Sequence, residues 1–116
     1  ELVPACESDT LNLDSISPLS CLLTDSGGGC YLDALPWLEE GLRRIAASKL
    51  GVAKLVDWAR DTWAAQMSED HVKIYSLHDE EYAETIGLDA FEKALRAWTE
   101  FIQTPPDAKA SRTIEI

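Results

Sequence analysis

His71 and His78 are the only imidazoles in the 116 residues, and Cys6, Cys21 and Cys30 the only thiols. Hydrolysis by a Ser or Cys nucleophile needs a base within hydrogen-bond reach and a site for the oxyanion. Neither histidine adjoins a recognisable nucleophile motif, so both read as surface or turn residues and no catalytic residue is assigned. Zinc needs convergent thiolate or imidazole ligands at short spacings. Cys21 and Cys30 lie too far apart for a zinc knuckle, with both histidines remote in sequence. Asp79-Glu80-Glu81 offers oxygens to calcium but lacks the twelve-residue calcium loop. Gly27-Gly28-Gly29 is followed by Cys30-Tyr31-Leu32 with no Lys nearby, so it reads as a flexible turn rather than a phosphate cradle. The expectation is a chain with no metal, no cofactor and no enzymatic activity.

Carboxylates are the one remaining chemistry. A general acid or base would need a buried member with a raised pKa. Glu39-Glu40 and the Asp57/Asp61 pair read more simply as solvated helix faces. The third group differs. Between Asp79 and Glu92 stand six carboxylates (Asp79, Glu80, Glu81, Glu84, Asp89, Glu92) and no Lys or Arg. Tyr75, Tyr82 and Trp98 lie close by in sequence, and aromatic residues beside charges are what interface anchors look like. Asp79, Glu80, Glu81 and Glu84 are therefore the candidate polar contacts with a partner, and Tyr75 or Tyr82 the candidate anchor.

The whole chain shares this sign, with 21 Asp+Glu against 10 Lys+Arg and a formal charge of −11. Such a field repels nucleic acid, nucleotide phosphates and anionic membranes and attracts basic protein surfaces. Arg43, Arg44, Lys49, Lys54 and Arg60 are interleaved with acids and make no stripe for a phosphate backbone. An apolar fraction of 46% is ordinary for a globular protein, so the acidity is not a sign of disorder. The length suits one domain with a real core, in which at least two of the four Trp should be anchors. No apolar run approaches bilayer length. An odd number of cysteines argues against a complete disulfide framework. A hairpin between Cys21 and Cys30 would make a disulfide geometrically possible but does not imply one, and buried reduced thiols of a cytosolic protein are preferred. The cytoplasm is expected with those reduced thiols, or, since the chain begins at Glu1 without Met, the periplasm if a signal peptide has been removed. Oligomeric state is left open.

These side chains need elements to hold them. Residues 1–10 carry little pattern and read as a loose arm. Leu11 and Leu13, then Leu19, Cys21 and Leu23, alternate as strands do. Leu35, Leu38, Leu42 and Ile45 make a helical stripe, with Asp33 as N-cap and Pro36 confined to the first turn. After Gly51 a second helix is predicted, with Val52, Leu55, Val56, Ala59, Trp63 and Met67 on its apolar face and Trp58 off that stripe, partly exposed. Val72 to Leu77 and Glu81 to Ile86 read as two strands joined by a turn at His78-Asp79-Glu80, with Tyr82, Glu84 and Ile86 on one face. Leu88, Phe91, Leu95, Trp98 and Ile102 make the cleanest helical stripe, stopped by Pro105-Pro106. Thr113 to Ile116 is predicted to close the sheet. The fold class is α+β, a single domain spanning 1–116 with helices on one mostly antiparallel sheet.

The stretch Val72-Lys73-Ile74-Tyr75-Ser76-Leu77, then Glu81-Tyr82-Ala83-Glu84-Thr85-Ile86, then Leu88 to Ile102 with Phe91 and the close Trp98-Thr99-Glu100-Phe101-Ile102, resembles part of the immunity proteins of bacterial polymorphic toxin systems. Contact-dependent inhibition and type VI secretion effectors belong to those systems. The likeness covers about a quarter of the chain and rests on fold positions; residues 1–68 match no family. It implies an antitoxin that binds one cognate toxin domain and blocks its active site or substrate path, with the toxin class left open; a basic cleft such as a nuclease presents would suit the acidic surface. Two other classes fit the same acidity: a nucleic-acid mimic that inhibits a host or phage defence nuclease, and a non-catalytic adaptor or chaperone domain. A small enzyme with a carboxylate pair is the fourth.

Overall fold

The computed structural model describes residues 4–8, 16–25, 31–104 and 111–116. Its helices are α1 (Pro18–Leu23), α2 (Leu35–Lys49, entered through a 3-10 turn at Tyr31–Ala34) and α3 (Leu88–Phe101). The strands β1 (Val56–Ala59), β2 (Trp63–Met67), β3 (His71–Ser76) and β4 (Asp79–Gly87) form an antiparallel meander in sequence order. The α+β class with one antiparallel sheet is the one expected.

Alternation along the strands sorts the side chains between two faces. The register places Val56 and Trp58, Trp63, Ala65 and Met67, Val72 and Ile74, and Tyr82, Glu84 and Ile86 on one side. That side takes the helices. Leu19, Leu22 and Leu23 of α1, Leu38 and Ile45 of α2, and Leu88, Phe91, Leu95 and Trp98 of α3 meet Trp58, Ala65, Met67, Val72 and Ile74 in one core. The other side carries Asp57, Ala59, Ala64, Gln66, Lys73, Tyr75, Ala83 and Thr85, short or polar residues suited to a sheet face left to water.

The helices expected from the stripes of Leu35–Ile45 and Leu88–Ile102 are present, as is the β3–β4 hairpin, although its turn is Leu77-His78 and β4 already begins at Asp79. Asp33 lies within the 3-10 turn, and the N-cap of α2 is Ala34, with no side-chain cap. Pro36 is in the first turn.

Three expectations are corrected. Residues 56–67 are not a helix but the β1–β2 hairpin. The spacing of Val56, Ala59, Trp63 and Met67 satisfies a helical stripe, yet the pairing sets Trp58 inward at 1% exposure. Fully burying a side chain of this size is worth roughly 3 kcal/mol, and a helix with Trp58 outside its stripe forgoes that gain. Val52 and Leu55, assigned to the same apolar face, are exposed in the loop before β1. Leu19, Cys21 and Leu23 are not a strand. Ser17 accepts the Ser20 N–H at 3.1 Å and Pro18 opens the turn, an N-cap followed by a first-turn proline. Leu19, Leu22 and Leu23 then share the buried face of α1. Thr113 to Ile116 is exposed and joins no strand; nearby Arg112 pairs with Glu100 at 2.9 Å.

The expected strand at Leu11–Leu13, the glycine run, Cys30 and Pro105-Pro106 lie outside the described residues. Cys21 sits on a helix as a free thiol instead of facing a hairpin partner. In the N-terminal segment Cys6 packs against the core, and its sulfur accepts the Ser20 hydroxyl at 3.7 Å. Burial pushes both thiols up. Among the described residues no helix is long and apolar enough to cross a membrane.

Candidate functional site

The β1–β2 turn (60–62) and the β3–β4 turn (77–78) lie at the same end of the meander, joined by the Leu77 N–H donating to the Thr62 carbonyl at 2.9 Å. Asp61, His78, Asp79, Glu80 and Glu81 are all exposed at this end. It is built rigidly from below. One Asp25 carboxylate oxygen accepts the N–H groups of Thr62 at 2.8 Å and Trp63 at 3.1 Å, and the Thr62 hydroxyl at 3.3 Å. Arg60 donates to the carbonyls of Leu22 and Asp25 and lies 5.6 Å over the Trp58 ring. The end of α1 is thereby tied to the turn, through donors that burial would otherwise leave unsatisfied. Asp79 accepts the Glu81 N–H at 3.1 Å, which shapes the start of β4.

The six carboxylates between Asp79 and Glu92 divide into three groups. Asp79, Glu80 and Glu81 stand at the turn. Glu80 has a partner in Lys73 at 3.7 Å, both well exposed, a pairing worth little in water. Among the described residues Asp61, Asp79 and Glu81 form no ion pair. Glu84 turns under the sheet, where its carboxylate accepts the Leu19 N–H at 2.9 Å. It completes the N-terminus of α1, where the helix leaves its first N–H groups without partners. Asp89 and Glu92 lie at the opposite end of the sheet and share Lys49, each at 2.7 Å; Glu92 also meets Arg96 at 3.4 Å. Hydrogen bonds to Lys49 hold the Asp89 carboxyl below its ordinary range.

The two tyrosines are separated by the sheet. Tyr82 faces inward and packs on Trp63, ring centroids 6.0 Å apart. Tyr75 is on the outer face with Lys73 5.5 Å from its ring. Burial raises the Tyr75 phenol first, and the negative charges of Asp57 and Glu80 raise it further. Those two carboxylates therefore flank Tyr75 electrostatically on the face that no helix covers. Of the six residues chosen from sequence, Asp79, Glu80, Glu81 and Tyr75 share one accessible region, while Glu84 and Tyr82 serve the interior side. Asp57 and Asp61 join the region although the sequence reading had placed them on a helix. The Val56–Ala59 alternation before Arg60-Asp61-Thr62 was the signal for a strand and turn there.

A second exposed feature lies at the other end, where Leu50, Val52 and Leu55 project from the loop between α2 and β1. His71 contacts Asp70 at this end, both exposed. Among the described residues no group of three or more His, Cys, Asp or Glu is placed to hold a metal ion. Compared with protein-family models, curated proteins and solved structures, the chain finds no match. The functional reading therefore rests on surface geometry and charge.

Proposed function

We propose that this chain is a non-catalytic binding protein that neutralises a basic partner protein, in the manner of an immunity protein acting on its cognate toxin in the bacterial cytoplasm. The observation that carries the reading is the clustering of exposed Asp61, Asp79, Glu80 and Glu81 at one clamped end of the sheet, with Tyr75 and Asp57 on the adjoining open face. With the backbone of this end already tied to α1, binding need not order the turns that carry the carboxylates. The carboxylate surface can occupy a cationic cleft shaped for phosphates, steer encounter, and reject partners of the wrong charge. Tyr75 supplies an aromatic contact beside those charges. The net charge of −11 extends the attraction beyond the contact itself, within about 8–10 Å at physiological salt.

The test is charge reversal. The partner to use is a basic C-terminal domain of a large secreted protein, where the neighbouring gene encodes one. Glu80→Lys with Glu81→Lys should lower the association rate for that domain tenfold or more and flatten its salt dependence, with the fold intact by circular dichroism. Unchanged affinity would remove this surface from the binding site. Recovery of a defence nuclease in place of a toxin domain would move the same surface to the nucleic-acid mimic reading.

A further inference from the structure

Among the described residues the meander has two sheet edges, β1 and β4, and the hydrogen-bond phase shows what each exposes. In an antiparallel pair, residues alternate between those that exchange both backbone bonds with the neighbour and those whose N–H and C=O point away. On the β1 side, the Arg60 N–H donates to the Trp63 carbonyl. Trp58 and Val56 thus bond to β2, and Asp57 and Ala59 point outward. That edge is blunted, because Arg44 of α2 donates to the outward carbonyl of Asp57. On the β4 side, the Leu88 N–H donates to the Asp70 carbonyl at 2.9 Å. With the pairs Val72↔Ile86, Lys73↔Thr85, Ile74↔Glu84 and Tyr75↔Ala83, Ile86 and Glu84 bond to β3, while Ala83 and Thr85 direct their N–H and C=O away from the sheet. Among the described residues nothing accepts from or donates to those outward groups. Thr85 is exposed and Ala83 half-buried.

We propose that β4 is a docking edge for an extended basic segment of a partner protein, which adds to the sheet as a fifth strand. This inference rests on the proposed function and adds the mode of recognition and the chemistry of the segment. Backbone pairing at Ala83 and Thr85 supplies the ladder, as in other strand additions. The charge of β4 selects the occupant. Asp79, Glu80 and Glu81 open the strand, none of its nine residues is basic, and Glu84 is engaged with α1. A second copy of this chain would set acidic strand against acidic strand along one seam, and like charges across a ladder are destabilising. The same acids protect the edge from casual pairing. A strand with Lys or Arg near Asp79–Glu81 reverses that sign. The small side chains of Ala83 and Thr85 leave room for its residues on the open face.

The probe is the peptide acetyl-Lys-Val-Lys-Val-Lys-Val-Lys-amide, titrated into the full chain while amide resonances are followed. Binding should shift the Ala83 and Thr85 amides and slow their hydrogen exchange. The same peptide N-methylated on alternate residues should bind about tenfold more weakly, having lost its backbone donors. Thr85→Pro removes an outward N–H at a position where an edge strand tolerates proline, and should weaken the unmodified peptide about tenfold. The N-methylated peptide needs no variant, so it decides the matter even where Thr85→Pro fails to fold. If Glu80→Gln with Glu81→Gln weakens binding while N-methylation and Thr85→Pro do not, capture is through side chains alone. Strand addition is then wrong and the acidic surface stands. If the peptide does not bind at all, the edge and the charge reading fall together; if a Glu-for-Lys version binds equally well, the basic occupant is wrong.

Discussion

Gly41→Ala sets two opposed effects against each other with the structure naming the winner. Within a helix, replacing Gly by Ala is worth about 1 kcal/mol in favour of folding. A Cβ on Gly41, however, would lie 2.7, 2.8 and 2.9 Å from Cζ2, Cε2 and Cη2 of Trp58. Carbon atoms prefer about 3.5–4.0 Å, so the ring or the helix must give way by about 1 Å. Trp58 has no room to retreat: it is 1% exposed and meets Phe91 edge-on with centroids 6.4 Å apart. Overpacking of this kind costs about 1–3 kcal/mol, and disturbing the aromatic pair a further 0.5–1.5 kcal/mol or so. The net expectation is a loss of about 1–3 kcal/mol, a fall in Tm of roughly 4–12 °C for a chain of this size. Urea unfolding followed by far-UV circular dichroism measures it. Trp58→Phe removes the offending benzo atoms, so in that background Gly41→Ala should be neutral or stabilising. The coupling between the two sites should be about 1–3 kcal/mol. If Gly41→Ala raises the stability of the wild-type chain, helix propensity has prevailed and Trp58 does not pack against α2 as described.

Glu84→Ala leaves the Leu19 N–H without its carboxylate and should cost about 1 kcal/mol, a charge-assisted bond discounted for its partial exposure. It should leave the association rate for a basic partner unchanged; a slower association with unchanged stability would return Glu84 to the contact surface. Tyr75 should titrate above the ordinary phenol range. Asp57→Asn with Glu80→Gln should bring it down toward that range, as read from the ring-carbon shift assigned with Tyr75→Phe. Because the folded pKa is the higher one, the unfolded chain ionises first. The Tyr75 contribution to stability is therefore full below the ordinary phenol pKa and is lost as pH rises through the folded value. An unmoved titration in the double variant would detach those carboxylates from the Tyr75 face.

Local pattern was sufficient where one period dominated. Leu88, Phe91, Leu95, Trp98 and Ile102 share a helical face whatever they pack on, and the run from Val72 to Ile86 keeps its alternation on either side of a turn. The acids Asp79, Glu80 and Glu81 beside that turn were therefore legible as exposed charge. The rest depended on partners distant in the chain. Val56, Ala59, Trp63 and Met67 fit a helix as readily as a hairpin. The choice fell to the one arrangement that buries Trp58 between Gly41 and Phe91, residues 17 and 33 positions away. Leu19, Cys21 and Leu23 alternate like a strand, yet Ser17 caps a helix there and Glu84, 65 residues beyond Leu19, completes the cap. Which acids meet a partner within the chain was settled the same way: Lys49 reaches Asp89 and Glu92, and α1 claims Glu84. Sequence determined how much negative charge this chain carries and where it is densest. Tertiary structure decided which carboxylates meet the protein's own donors and which remain for another molecule, because the fold brings Leu19 to Glu84 and Lys49 to Asp89 and Glu92 across long stretches of chain.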